Sequence, residues 1–142
     1  MNDMKKKKIL YIEDETDQRD IVKTIIEANG FEVIEAQDGE MGLKMAFDEK
    51  PHLILLDLTM PKVHGMVVLK RLKADAETKD IPVFILTASG DKDSEKKCRM
   101  AGADEFLRKP FDSHELMKRI DQQLKRKGNE STVHGKMVQG RK

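Results

Sequence analysis

Residues 9–14 read Ile-Leu-Tyr-Ile-Glu-Asp, a short apolar run that ends at once in two acids. Apolar runs of this length, bounded by polar residues, are typical of strands buried in a parallel sheet. Three later runs resemble it: 53–56 before Asp57, 83–86 before Thr87, and 106–107 shortly before Lys109-Pro110. Because the carboxyl ends of parallel strands meet at one edge of a sheet, we expect these acids, the hydroxyl and the ammonium to converge there.

The segments between these runs show helical spacing, so the chain predicts an α/β fold of five strands alternating with five helices. Right-handed crossovers give an open, doubly wound parallel sheet, for which we predict the strand order 2-1-3-4-5. Glu13-Asp14 and Asp57 then flank the switch point between strands 1 and 3. The predicted strands span about 8–13, 31–36, 52–57, 82–87 and 104–108. Three helices are predicted at about 16–29, 65–74 and 92–101. A further helix follows Asp38, its predicted N-cap, and ends before Pro51, and the last helix is capped by Asp112 or Ser113.

Apolar residues at helical spacing predict which face of each helix is buried. The fourth helix is mostly charged and offers the fewest apolar residues, so we expect it to be the least firmly packed. The predicted inward-facing residues are Ile21, Val22, Ile25, Ile26, Leu43, Ala46, Phe47, Val68, Leu69, Leu72, Cys98, Met100, Ala101, Leu116, Ile120 and Leu124.

Size and composition favour one globular domain without a nucleic-acid partner. The chain has 142 residues, with 27 Lys and Arg against 26 Asp and Glu, and this balance is unlike the strongly basic surface of a nucleic-acid binder. No apolar stretch approaches the roughly 20 residues that cross a bilayer, and no signal peptide opens the chain. Cys98 is the single cysteine, to which we assign a packing role, and a cytoplasmic location is expected.

Three carboxylates at one sheet edge repel each other unless a cation compensates their charge. Mg²⁺ prefers oxygen ligands and retains several waters, so Asp14 and Asp57 are predicted to bind it directly and Glu13 directly or through water. The backbone carbonyl of Thr59 would add another oxygen. Mn²⁺ is the alternative ion.

Asp57 beside a metal and an ammonium is suited to attack phosphorus, because both cations neutralise charge on the transferring oxygens. The product would be an aspartyl phosphate. Its oxygens would be bound by Lys109 and by the hydroxyl of Thr87.

Four short motifs in this order resemble the receiver domains of two-component response regulators, and most of all the stand-alone chemotaxis type. They are Glu13-Asp14, residues 56–61 with Gly65 beyond, Thr87-Ala88, and residues 102–104 leading to 109–111. The resemblance covers residues 5–127 and implies a flavodoxin-like fold. It implies that Asp57 takes a phosphoryl group from a phosphohistidine on a sensor kinase or a histidine phosphotransfer protein, with Ala88 beside Thr87 at the phosphoryl-binding position.

The same resemblance implies a switch. The Thr87 hydroxyl would move toward the phosphoryl group and the Phe106 ring would turn inward, reshaping the face formed by helix 4, strand 5 and helix 5, which a downstream protein reads. The peptide before Pro110 would be cis. The protein would act as a phosphoacceptor rather than as an enzyme on a separate substrate, without stable membrane insertion, and as a monomer or a phosphorylation-dependent dimer.

Three other interpretations fit the sequence less well. A phosphatase with an Asp nucleophile would need a second Asp two residues later, where Thr59 stands, and a flavin-binding protein would need a Ser-, Thr- and Gly-rich loop in place of residues 13–15. The chain could also be the receiver of a longer regulator. We expect a single-domain protein with a receiver domain at 1–127 and a disordered polar tail at 128–142.

Overall fold

The computed structural model describes residues 6–58, 64–88 and 92–132, without the side chains of 126–132. Residues 6–111 contain one five-stranded parallel sheet in the order β2-β1-β3-β4-β5, which confirms the predicted α/β topology. The strands are β1 (Lys8–Ile12), β2 (Glu32–Ala36), β3 (Leu53–Leu56), β4 (Val83–Thr87) and β5 (Glu105–Arg108), and the helices are α1 (Thr16–Ala28), α2 (Gly39–Glu49), α3 (Gly65–Ala74), α4 (Lys92–Met100) and α5 (Ser113–Thr132).

The strand register brings the polar residues that follow the strands to one edge. Ile12 pairs with Leu56 and Leu56 pairs with Ile85. The N–H of Asp57 donates to the Ile12 carbonyl at 3.1 Å. Glu13 and Asp57 therefore lie side by side, as the predicted topology requires.

Side chains on both faces of the three central strands are buried, which explains why these strands are apolar without alternation. One face forms a continuous core with residues of α2, α3 and α4. On the opposite face, Ile9 and Tyr11 are fully buried, and α1 contributes the buried Val22 and Ile26. This core fixes the strand ends on which the polar residues stand.

Polar side chains cap the N-termini of α2 and α3. Asp38 accepts a hydrogen bond from the Met41 N–H at 2.8 Å, which confirms the predicted cap and stabilises the helix by about 1 kcal/mol. His64 Nδ1 accepts from the Met66 N–H at 3.1 Å. His64 therefore has a local structural role at the start of α3.

Three residues predicted to be buried are exposed instead. Ile21 is 61% exposed, Phe47 is 47% exposed and Met100 is 78% exposed. Each lies at or beyond the border of its apolar stripe, since Met100 is two residues, or about 200° of helix rotation, from the buried Cys98. The buried face of each of these helices is therefore narrower than the face that its apolar residues predicted.

The described residues 112–132 belong to a second compact unit, which contains α5. Asp112 Oδ1 accepts from the His114 N–H at 2.8 Å, which fits the predicted cap. Leu116, Ile120 and Leu124 recur every four residues and are buried. α5 continues past residue 128 and through Thr132, since one interior glycine costs a helix only about 1 kcal/mol and keeps its N–H. The domain boundary at 127 and the disordered polar tail remain predictions.

A close approach between α3 and β3 requires glycine at position 65. A Cβ there would lie 2.5 Å from the Asp57 carbonyl oxygen and 2.5 Å from Leu58 Cα. The Gly65 N–H also donates to the Leu58 carbonyl at 3.0 Å. The backbone that carries Asp57 is therefore packed directly against the first turn of α3.

We predict faster amide hydrogen exchange in α4 than in α3, a helix of similar length that belongs to the same core. Cys98 is the single buried residue of α4, whereas α3 buries Gly65, Val68, Leu69 and Leu72. Fewer buried contacts lower the free energy of local opening, so α4 amides should exchange at least about tenfold faster. Exchange measured by mass spectrometry tests this, and equal protection would contradict it.

Gly65→Ala is expected to destabilise the fold by about 1–3 kcal/mol, because backbone atoms must move to admit the Cβ. Urea denaturation measures the loss, and amide NMR shifts measure the displacement of Asp57. The matched control is Gly30→Ala, since Gly30 has a φ of +93° and no atom within 4 Å of an added Cβ. The control should lose stability through backbone strain and leave the Asp57 amide unshifted; an unshifted Asp57 amide in Gly65→Ala would contradict the prediction.

Candidate functional site

Three carboxylates gather where β1 and β3 end. Oxygen atoms of Glu13, Asp14 and Asp57 all lie within 4.8 Å of one another. Glu13 and Asp57 are buried, whereas Asp14 is exposed. Because like charges this close repel strongly, the cluster needs a compensating cation.

Lys109 supplies part of that compensation from the end of β5. Its Nζ lies 2.6 Å from Glu13 Oε1 and 4.0 Å from Asp57 Oδ2. The Lys109 N–H donates to the Thr87 carbonyl at 2.9 Å, so the β4–β5 ladder positions the residue. The Lys109–Pro110 peptide is cis, as the resemblance to receiver domains implies.

Glu13 is held by groups that the sequence reasoning missed. The Tyr11 hydroxyl donates to Glu13 Oε1 at 3.3 Å, and the Glu15 N–H donates to Oε2 at 3.2 Å. Arg19 Nη1 donates to the Glu13 carbonyl at 2.7 Å. Because side chains alternate along a strand, Tyr11 lies on the same side as Glu13, and this alternation could have predicted their contact. No sequence pattern indicated Arg19.

The Tyr11 hydroxyl is a protonated donor. Burial raises the pKa of Tyr11 far above its usual value, and the negative charge of Glu13 raises it further. An ionised phenol would be both desolvated and repelled by the carboxylates. Tyr11 therefore donates to Glu13.

The cluster opens into a pocket of about 440 Å³ lined by Glu13, Asp14, Glu15, Gln18, Asp57, Ala88 and Lys109. Several carboxylate oxygens lie close together here, and Asp14 is exposed. Such oxygens are the preferred ligands of a hard divalent cation that keeps part of its water. The residues present therefore fit Mg²⁺ or Mn²⁺. Thr59, whose carbonyl was predicted as a further ligand, lies outside the described residues.

The predicted switch residues lie on β4 and β5, next to this pocket. Thr87 is fully buried and Phe106 is 6% exposed. Arg108 Cζ lies 5.8 Å from the centre of the Phe106 ring. Ala88, the residue after Thr87, lines the pocket directly, so the end of β4 reaches the site.

A larger pocket, of about 900 Å³, lies at the opposite ends of the strands, among residues 6–8, Phe31 and His52. Its charged side chains include the surface pair of Lys8 and Glu49, 3.0 Å apart. Glu27, Glu32 and Glu49 also line this pocket, but among the described residues the carboxylates close enough to hold a metal ion are those of the smaller pocket. Cys98 is buried, and burial raises the pKa of its thiol, which agrees with its packing role.

Within the described ranges, none of the helices combines the length and apolarity needed to cross a bilayer.

Comparison with known proteins identifies relatives of the chain. The response regulator receiver domain model matches residues 9–121. Curated relatives include the phosphate regulon transcriptional regulatory protein PhoB of Pseudomonas aeruginosa, 38% identical over 86% of this chain and 53% of its own length. The DNA-binding dual master transcriptional regulator RpaA of Synechocystis is 41% identical over 84% of this chain and 49% of its own.

A solved structure is similar over nearly its whole length. The chemotaxis protein CheY4 of Vibrio cholerae superposes with a TM-score of 0.78 at 26% identity, covering 83% of this chain and 98% of that one. The chain spans about half the length of the curated relatives it matches. The match to the family model covers most of the chain, so the protein belongs to the response regulator receiver domain family.

Proposed function

We propose that this protein is a phosphorylation-controlled switch in which Asp57 accepts a phosphoryl group from a phosphohistidine. The observation that carries the proposal is the carboxylate cluster of Glu13, Asp14 and Asp57 with the Lys109 ammonium beside it. Family membership supports it, because receiver domains are phosphoacceptors. No separate substrate is turned over, and the chain catalyses only its own phosphorylation and dephosphorylation.

In the proposed reaction, a carboxylate oxygen of Asp57 attacks phosphorus opposite the histidine nitrogen. The new O–P bond forms as the N–P bond breaks, and the electron pair returns to the imidazole nitrogen, which takes up a proton. Asp57 suits this role because it is buried at the inner wall of an open pocket. The protein fixes the nucleophile and leaves access for the donor.

Glu13, Asp14, Asp57 and the carbonyl of Thr59 are the proposed ligands of Mg²⁺, with Mn²⁺ as the alternative. When bound, the metal supplies positive charge that neutralises the carboxylates and the transferring phosphoryl oxygens. Lys109 then changes partner from Glu13 to a phosphoryl oxygen, a short movement for an ammonium already 4.0 Å from Asp57. The ammonium that stabilises the carboxylates before phosphorylation would thereby stabilise the phosphoryl group afterwards.

Thr87 and Ala88 are the proposed remaining phosphoryl-binding groups, and Thr87 with Phe106 is the proposed switch. Thr87 ends β4 in register with Arg108, two residues beyond Phe106 on β5. Movement of the Thr87 hydroxyl toward a phosphoryl group would change the space available to the Phe106 ring. A partner protein would bind the changed, exposed side of α4 and β5. A second copy of the protein would bind there in a phosphorylation-dependent dimer.

The proposed phosphodonor is a sensor histidine kinase or a histidine phosphotransfer protein in the cytoplasm. The output has two candidates. A stand-alone receiver would act by binding a target protein, as in the chemotaxis type. A receiver of a longer regulator is favoured by the roughly double length of PhoB and RpaA, both of which are named as transcriptional regulators. The mass of the protein in its native cells distinguishes these outputs.

We expect the wild-type protein to gain one base-labile, acid-stable phosphoryl group when it is incubated with acetyl phosphate and Mg²⁺. Asp57→Asn should gain none, because an amide is not a nucleophile toward phosphorus. Chelation of the metal should abolish the reaction of the wild type. Intact-mass spectrometry measures all three.

Asp48→Asn is the matched control, since Asp48 is an exposed residue of α2 paired with Lys44. It should be phosphorylated like the wild type. If a well-folded wild type gained no phosphate, or Asp57→Asn gained as much, the proposed function would be wrong.

Lys109→Met should bind Mg²⁺ about tenfold more tightly, because removal of the ammonium leaves the carboxylates more negative and ends its competition for Glu13. Phosphorylation by acetyl phosphate should nevertheless be slower, since the phosphoryl oxygens lose their ammonium partner. Calorimetric Mg²⁺ titration and the phosphorylation rate measure these opposite effects. Lys7→Met, an exposed site beside the other end of β1, should change neither; weaker Mg²⁺ binding by Lys109→Met would contradict the expectation.

A further inference from the structure

Tyr11 places a hydroxyl group between the apolar residues Leu10 and Ile12 of β1. Its side chain is fully buried in β1, and its hydroxyl donates to Glu13 Oε1 at 3.3 Å. Buried polar groups are kept where they have a hydrogen-bond partner, so the hydroxyl and Glu13 satisfy each other. This contact joins the core to the carboxylate cluster.

Two donors share Glu13 Oε1. Lys109 Nζ lies at 2.6 Å and the Tyr11 hydroxyl at 3.3 Å, which is long for a bond between two oxygens. The shorter, charge-assisted bond dominates the resting state. The Tyr11 bond is therefore the one with room to shorten when Lys109 leaves.

The other parts of Glu13 are held by separate groups. The Glu15 N–H binds Oε2, and Arg19 binds the backbone carbonyl at 2.7 Å. Oε1 is the oxygen whose partners would change in the proposed reaction. After Lys109 turns to a phosphoryl oxygen, Tyr11 is the side chain in place to keep Oε1 paired.

We propose that Tyr11 is a positioning residue, which holds the Glu13 carboxylate in the orientation that serves the divalent cation and keeps Oε1 paired when Lys109 is withdrawn. This inference rests on the proposed function. It differs from a packing role, because a phenylalanine fills the same volume and lacks only the hydroxyl. In such a variant Oε1 would be left with Lys109 as its donor, so the Glu13 carboxylate would follow the lysine rather than keep its orientation toward the cation.

A double-mutant cycle tests the proposal, with Mg²⁺ affinity measured by calorimetry on wild type, Tyr11→Phe, Glu13→Gln and the double variant. Loss of a group that orients a metal ligand typically weakens metal binding by a factor of ten or more. We expect Tyr11→Phe to bind Mg²⁺ about tenfold more weakly than wild type. In the Glu13→Gln background the same change should alter affinity by less than about twofold, because the carboxylate through which Tyr11 acts is absent.

Ile9→Val is the matched control for packing, since Ile9 is fully buried on the same face of β1. It should lower the free energy of unfolding without changing Mg²⁺ affinity. Unchanged affinity in Tyr11→Phe, or an equal loss in both backgrounds, would overturn the role of Tyr11 while leaving the proposed function intact. Failure of the wild type to bind Mg²⁺ would overturn both.

A second measurement needs no variant. Tyr11 is the only tyrosine in a chain without tryptophan, so tyrosine emission reports on this hydroxyl alone. Titration of the wild type with Mg²⁺ should change that emission with the same midpoint as the calorimetric titration. Constant emission at saturating Mg²⁺ would contradict the proposal even if Tyr11→Phe fails to fold.

Discussion

The ion pair between Lys109 and Glu13 is the interaction on which the site depends, because it joins the end of the last strand to the end of the first. Its 2.6 Å separation lies in a largely buried setting, where the exposed fractions of the two side chains are 12% and 2%. Charges in such a setting are tolerated only in pairs, and removal of one partner typically costs about 3–5 kcal/mol. Three carboxylates and one ammonium still leave an excess of negative charge, so the resting site is only partly balanced.

The backbone creates this arrangement before any side chain acts. Parallel pairing in the order β2-β1-β3-β4-β5 aligns the carboxyl ends of β1 and β3, and the bond from Lys109 N–H to the Thr87 carbonyl extends the β4–β5 ladder to the lysine. Gly65 then allows α3 to approach the backbone of Asp57. A buried, apolar sheet thus holds mutually repelling acids at distances that side-chain interactions alone would not maintain.

The sequence predicted the sheet order and the gathering of Glu13, Asp14 and Asp57 because both follow from strand position. It predicted less well which apolar helix residues are buried, since Ile21, Phe47 and Met100 lie outside the contact stripe that tertiary packing selects. α5 contains Gly128 and still continues to Thr132, because an interior glycine weakens a helix without ending it. Arg19 could not be assigned from the sequence, as its contact with the Glu13 carbonyl depends on how α1 lies beside the β1–α1 connection.

The partial balance of charge gives the site its capacity to respond. A fully neutralised cluster would have little electrostatic reason to take up a cation, and a cluster without Lys109 would lack the ammonium that is proposed to bind the phosphoryl group. Sharing Glu13 Oε1 between Lys109 and Tyr11 reconciles these needs, since one donor can leave while the other stays. The resting structure thus already holds a second donor for Glu13 Oε1. The proposed departure of Lys109 would therefore need only a short side-chain movement at the sheet edge, because the oxygen that it leaves stays paired.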